Sequence, residues 1–353
     1  MRLALTSAIV TATVILAQPA ATALPSYDRQ LLLETTSETS ANVSFGDVDG
    51  DSNLDIVLAK GRHWPLGNRV LLGDGRGGIR ASYDLGDLAD RSYSARLVDL
   101  DGDGSLDVVV SNDQPDPKLV YLNDGGGHFR VGSTYGRPEW DTRHAAVADL
   151  NGDGLADIVV ANRTDHGANY VCLNRGNGRF DADCTPFAHY PATTVTPADF
   201  NHDGLIDLAV PHRDGGQSYV YLAGPNADFS DARRVAFGPP DATIRMAETA
   251  DLDGDGLLDI VAIDDRTAVP YALMLGDLNH DGRIDIIVGH VEAPSTILFN
   301  DGSGRHFSTV RFGDNKGTVY GFAIGDFNRD GLPDIAAARS EAPNVLYFAA
   351  GSR

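Results

Sequence analysis

The stretch DLDGDGSLD (99–107) places four carboxylates, Asp99, Asp101, Asp103 and Asp107, within nine residues. Charges of one sign held this close repel unless something positive lies between them. The pattern occurs seven times: DVDGDSNLD (47–55), DLDGDGSLD (99–107), DLNGDGLAD (149–157), DFNHDGLID (199–207), DLDGDGLLD (251–259), DLNHDGRID (277–285) and DFNRDGLPD (326–334). Oxygen ligands at positions one, three, five and nine, with a glycine at six that lets the backbone turn back, suit a hard cation. Calcium, which takes six to eight oxygens, is the expected one. The candidate ligands are Asp47, Asp49, Asp51 and Asp55; Asp99, Asp101, Asp103 and Asp107; Asp149, Asn151, Asp153 and Asp157; Asp199, Asn201, Asp203 and Asp207. The series continues with Asp251, Asp253, Asp255 and Asp259; Asp277, Asn279, Asp281 and Asp285; Asp326, Asn328, Asp330 and Asp334. These loops hold 24 aspartates of the 50 acidic residues, and seven Ca²⁺ ions would bring the formal charge from −22 to −8.

Each loop is similar to the first nine positions of an EF-hand loop but lacks the glutamate at position twelve, and no helices flank it. Short β-rich runs do, such as HAAVADL before and ADIVVAN after. In the first copy Ser52 stands where the others have glycine. A left-handed backbone there costs a residue with a Cβ on the order of 1 kcal/mol, so this loop is expected to bind most weakly.

The starts of the seven copies are separated by 52, 50, 50, 52, 26 and 49 residues, a period that marks a repeat architecture. Within one period the second repeat reads as four strands: SYSARLVDL, LDVVVSN, KLVYLND and, after a glycine turn, HFRVGS. Four strands every 50 residues fit a propeller blade. The expected fold is all-β: a seven-bladed β-propeller with four-stranded blades, spanning residues 24–353 as a single domain. The last repeat has only three strands, and YDRQLLLETT (27–36) supplies its fourth and closes the ring. The 26-residue gap leaves no room for two strands, so the fifth blade is truncated to about two, with an exposed edge. Alternatively the ring closes with six blades.

Acidic loops of this type at this period resemble the FG-GAP or VCBS repeats of integrin-α-type propellers and many exported bacterial proteins. The resemblance covers residues 41–349. It implies the propeller and the calcium, while function stays open because such propellers serve as adhesins, lectins and lyases.

Other features bound the function. A net charge of −22 argues against nucleic acid, which needs a basic surface. Arg2, the apolar run 3–17 and ATA (21–23) read as a signal peptide, residues 1–23, cleaved near Ala23; a membrane anchor is the alternative. The mature protein is then exported, secreted or periplasmic, a monomer with no membrane span. Cys172 and Cys184 are the only cysteines. Simple hairpin register around NRGNGR puts Cys172 opposite Asp181, so a disulfide requires a local distortion, and both outcomes stay open.

Calcium loops between strands one and two crowd one face, so a ligand is expected on the other. Six residues before each first Asp lie Ala41, Tyr93, Arg143, Thr193, Arg245, Tyr271 and Tyr320. Five residues past each last Asp lie Lys60, Asn112, Asn162, His212, Asp264, His290 and Arg339. Together they are expected to ring the channel mouth. Arginine binds carboxylates bidentately and tyrosine offers a flat face, which suits an acidic or sugar-like ligand. Trp64 in KGRHWPLGN and Trp140 in GRPEWDTRH each lie near an Arg and a His. The ligand-binding candidates are Arg62, Trp64, Trp140, His166, His212, Arg213, Arg245 and Tyr320.

Three functions compete: a binder of a polysaccharide or of a cell-surface glycan or protein, a polysaccharide lyase, and a structural repeat with no small ligand. Some exported seven-bladed propellers cleave uronate-containing glycans by β-elimination. By resemblance of residue types, His63 or His144 would be the base, Tyr93 the acid and Arg143 the carboxylate clamp. No motif for serine hydrolases, zinc peptidases or nucleotide enzymes occurs.

Overall fold

The computed structural model describes residues 24–163, 167–181, 183–265 and 270–351. The expected signal peptide and His166 lie outside the described residues. Among those described there are 26 strands and no α-helix, only a 3₁₀ turn at Asp231–Arg233. No described helix is long and apolar enough to cross a membrane.

The chain enters through β1 (Ser26–Leu32). Repeat one is β2 (Ser40–Gly46), β3 (Asp55–Lys60), β4 (Leu66–Gly73) and β5 (Ile79–Asp90). Repeat two is β6 (Ser92–Val98), β7 (Asp107–Asn112), β8 (Lys118–Asn123) and β9 (Phe129–Tyr135). Repeat three is β10 (Thr142–Ala148), β11 (Asp157–Asn162), β12 (Asn169–Cys172) and β13 (Thr185–Phe187). Repeat four is β14 (Thr196–Ala198), β15 (Asp207–Val210), β16 (Ser218–Tyr221) and β17 (Arg234–Phe237). Repeat five has only β18 (Ile244–Ala250) and β19 (Asp259–Asp264). Repeat six is β20 (Pro270–Gly276), β21 (Asp285–His290), β22 (Ser295–Asn300) and β23 (Phe307–Phe312). Repeat seven is β24 (Thr318–Gly325), β25 (Asp334–Ser340) and β26 (Val345–Ala350), with β1 as its outermost strand.

Every sheet is an antiparallel meander, and the first strands β2, β6, β10, β14, β18, β20 and β24 touch in a closed ring. Six complete four-stranded blades form, not the seven blades expected; a two-stranded hairpin takes the fifth place. Tyr347 of β26 faces Gln30 of β1, so the N-terminal strand closes the ring.

Blades stack face to face, so a second strand is covered on both sides and reads as an unbroken apolar run. β3, β7 and β11 are buried along their whole length. Val57 and Val70 of repeat one pack against Val108 and Leu119 of repeat two in one such interface. The hairpin lacks this cover. Only Ile263 of β19 is buried, and the cluster it joins has just three buried members. Amide hydrogen exchange is therefore expected to be faster in β19 than in any other second strand; protection of β19 equal to that of β7 would refute this.

Cys172 and Cys184 are disulfide-bonded, with Cα atoms 4.5 Å apart. The simple hairpin register fails because the pairing slips by two residues. Asn174 bridges Phe180 near the tip, whereas Val171 faces Thr185 lower down. That slip brings Cys184 opposite Cys172.

Candidate ligand site and cation loops

The acidic loops join strand one to strand two at one end of each repeat. In three of them carboxylate oxygens converge within 4.8 Å: Asp47, Asp49 and Asp55; Asp99, Asp101 and Asp107; Asp251, Asp253 and Asp255. In repeats three, four, six and seven an asparagine holds position three and donates its amide to the position-five aspartate, as Asn151 does to Asp153 at 3.0 Å. The donor set is all oxygen, which fits a hard divalent cation such as calcium. Position six is left-handed throughout, and Ser52 adopts φ 67° there. Position four is left-handed too, with His202, His280 and Arg329 at φ 56–60°, a demand the sequence reading did not anticipate. The first loop differs again: the Arg80 guanidinium pairs with Asp49 and lies 3.2 Å from Asp51.

The position-nine aspartates have a second task. Asp107, fully buried, accepts the Leu100 N–H at 3.0 Å and the Asn123 N–H at 2.9 Å, tying loop to third strand. Asp55, Asp157, Asp207, Asp285 and Asp334 do the same. Asp259, with no third strand, accepts only from Leu252 among the described residues. Burial pushes Asp55, Asp107, Asp285 and Asp334 up to about 6. Asn123, Asn174 and Asn300 extend the tie between blades, each donating to a carbonyl in the acidic loop of the preceding repeat or, for Asn300, of the hairpin.

At the opposite end of the ring the first strands share a device. Ser92 pairs with Asn112 and Ser94 with Ser111, leaving Tyr93 as an extra residue, a β-bulge. The same slip isolates Ala41, Arg143, Arg245, Tyr271 and Tyr320. These are the positions counted six residues before each acidic loop. All six, with Thr193 of repeat four, line one cavity of about 570 Å³. A bulge re-aims a side chain, and here it turns one residue per repeat toward the axis.

The aromatic and cationic members interleave. The Arg62 guanidinium lies 3.7 Å from the Tyr320 ring centre, Arg143 4.2 Å from that of Tyr93 and Arg245 3.6 Å from that of Tyr271. Tyr271 and Tyr320 meet edge-on at 4.6 Å. Aspartates hold most of the arginines: Arg143 lies 2.8 Å from Asp113 and 2.5 Å from Asp141, Arg213 and Arg245 share Asp265, and Arg163 pairs with Asp214. Burial and the adjoining Asp113 carboxyl push Asp141 up to about 6.

Three of the four catalytic candidates meet. Tyr93 Oη lies 3.0 Å from His63 Nε2, and Arg143 covers the Tyr93 ring. Burial, with Arg62 and Arg143 nearby, holds the His63 imidazole below its usual range, and burial raises the Tyr93 phenol. These directions favour a neutral imidazole beside a protonated phenol, with Asp113, 3.6 Å from His63 Nδ1, pulling the other way. His144 lies apart, deeper in the channel, with its Nε2 2.7 Å from Arg96.

The remaining candidates divide. Arg62, Arg213, Arg245 and Tyr320 line the cavity. Trp64 does not; it is 68% exposed on the rim, neither in the core nor over the channel. Trp140 stacks on Tyr170 at 3.9 Å and packs into the core between repeats two and three. His212 stacks on Tyr190 at 4.8 Å, outside the cavity. The residues closing the second strands do not ring the mouth as expected. Lys60, buried, pairs with Glu34 and Glu38; Asn112 bonds Pro117; Arg339 holds Asp314. They anchor loops because the next blade covers these strand ends. The sequence reading missed Arg96 and Glu248, which also line the cavity; both stand three residues before an acidic loop.

The FG-GAP-like repeat model matches residues 47–110, 99–160, 149–210, 199–262 and 277–337. The chain belongs to the FG-GAP-like repeat family. Among solved structures it is similar to BBS1N in the crystal structure of that protein in complex with ARL6DN, soaked with mercury. The TM-score is 0.62 at 11% identity, over 94% of this chain and 98% of the other. The lead-soaked form gives 0.57 at 12% over the same shares. At this identity the likeness concerns the propeller fold alone. No curated protein sequence matches the FG-GAP chain.

Proposed function

We propose that this FG-GAP protein is an exported, calcium-stabilised propeller that binds an acidic carbohydrate at the channel mouth, opposite its acidic loops. One observation carries the reading: six bulges turn Tyr93, Arg143, Arg245, Tyr271, Tyr320 and the small Ala41 into a single cavity. Flat tyrosine faces suit sugar rings and guanidinium forks suit their carboxylates. The leader-like residues 1–23 and the disulfide favour export to an oxidising compartment.

A panel of uronate-containing and neutral polysaccharides tests this by calorimetry. Acidic polymers are expected to bind, and Arg245→Ala to weaken them about 10-fold or more, the loss of one charge-assisted contact. Equal binding of acidic and neutral polymers, or none across the panel, refutes the reading and leaves a structural repeat.

The 3.0 Å contact between His63 and Tyr93 favours a second reading, polysaccharide lyase. Neutral His63 would take the proton beside the uronate carboxylate, while Arg143 stabilises the charge that develops there. The electron pair forms the ring double bond, the glycosidic C–O bond breaks, and Tyr93 protonates the departing oxygen. A rise in ultraviolet absorbance from unsaturated uronate, abolished in His63→Ala and in Tyr93→Phe, is the expected result. A flat trace with bound polymer leaves binding alone.

A further inference from the structure

Below the mouth the channel carries charge that the mouth does not use. Arg96 of β6 and Glu248 of β18 both line the cavity, and neither is engaged with the ring of tyrosines above. The arginines of the rim, Arg143, Arg163, Arg213 and Arg245, each touch an aspartate, so part of their charge is balanced within the protein. Arg96 is held differently. Its guanidinium donates to His144 Nε2 at 2.7 Å, and no carboxylate among the described residues lies within ion-pair distance of it. Guanidinium only donates, so His144 Nε2 carries the lone pair and the imidazole is neutral. Burial and the Arg96 charge favour the same form. His144 therefore positions the guanidinium without cancelling its charge.

A desolvated cation with no counter-charge in contact is costly unless an anion joins it. Across the channel stands Glu248, the charge that Arg96 feels at a distance: burial shifts its carboxyl upward, and Arg96 draws it back down. It can accept from a hydroxyl or, protonated, donate to one. The lining also offers apolar side chains, Leu97, Val147, Met274 and Phe322, beside the polar Asn42, Ser94, Thr194 and Thr196. A cation, a hydroxyl partner and apolar side chains in a cavity of about 570 Å³ match a molecule that carries a carboxylate, hydroxyls and C–H faces.

We infer that the channel is an end-on seat for one terminal sugar-acid residue, with its carboxylate on Arg96 and a hydroxyl on Glu248. This rests on the carbohydrate reading of the mouth and adds polarity to it. The polymer enters by its acidic end rather than lying across the ring, and chain ends rather than chain middles are recognised.

Calorimetry with glucuronate, glucose and inorganic phosphate, using the whole protein, tests the seat. Glucuronate is expected to bind and glucose to bind at least about 10-fold more weakly, the difference one charge-assisted contact makes. Arg96→Gln should weaken glucuronate about 10- to 100-fold. Glu248→Gln, which removes a like charge and keeps an acceptor, should tighten it several-fold; if Arg96→Gln does not fold, this variant decides alone. Glucuronate binding unchanged in either variant, or equal to that of glucose, overturns the seat, and phosphate bound as tightly as glucuronate overturns its sugar-acid character. Acidic polymers that bind in an Arg245-dependent way while free glucuronate does not would sink the seat and leave the mouth reading standing. Loss of both kinds of binding ends both.

Discussion

Replacing Asp107 by alanine is expected to cost about 3–5 kcal/mol of folding stability, while the same change at Asp259 costs about 1 kcal/mol. The two residues hold the same place in their repeats and differ in what surrounds them. Asp107 is fully buried, and its two oxygens accept the N–H groups of Leu100 and Asn123. Truncation leaves both donors buried without a partner, and each orphan costs about 1–3 kcal/mol. Asp259 is exposed and accepts a single N–H, from Leu252 at 3.1 Å, because the hairpin has no third strand to hold. Urea denaturation in chelator measures both, so that no change in cation binding enters. Equal losses at the two positions would show that the carboxylate does not act by joining loop to third strand.

How much of this was legible in the chain depends on how locally each feature is encoded. The acidic loops and their period are written residue by residue, because each loop is defined by oxygen-bearing side chains at fixed spacing. The four-strand blade follows from the intervals. The bulge is not written in side chains: Ala41, Tyr93, Arg143, Arg245, Tyr271 and Tyr320 share no property, only a distance from an aspartate. Counting found the positions but not the backbone slip that aims them. Trp140 is an apt platform by composition, yet Tyr170 of the adjoining third strand claims its face at 3.9 Å, and nothing local announces that neighbour. Lys60 and Arg339 end their strands as a ligand-facing cation would. They are covered because the blades stack face to face, a fact of assembly rather than of spacing. Arg96 and Glu248 escaped because each is one charged residue inside a run that otherwise reads as strand.

The pH dependence of stability is expected to reverse sign with calcium. In chelator, burial raises the folded carboxyls of Asp55, Asp107, Asp285 and Asp334 to about 6, above the usual 3.8. Asp157 and Asp207 shift the same way, also by burial. Between pH 4 and 6 these six groups bind more protons folded than unfolded and outnumber His63, His144 and His212, which burial lowers, so stability is gained as pH falls through about 6 and lost as it rises again. With calcium in the proposed loops, proton and cation compete for the same carboxylates, so acidification expels calcium and destabilises. At pH 7 a site at 100 times its Kd adds about 2.7 kcal/mol. Several such sites place the melting temperature in calcium about 10 °C or more above that in chelator, at roughly 2 °C per kcal/mol for a chain of this size. Melts with and without chelator across pH 5–8 measure both effects, and curves of the same slope would remove the cation from the loops. The first loop is the built-in comparison. Arg80 already lies against Asp49 and Asp51, and Ser52 holds a left-handed backbone, so this loop is expected to fill last in a calcium titration. Arg80→Gln removes the competing charge and should tighten the weakest site alone, whereas uniform affinities in both proteins would mean that neither residue tunes it.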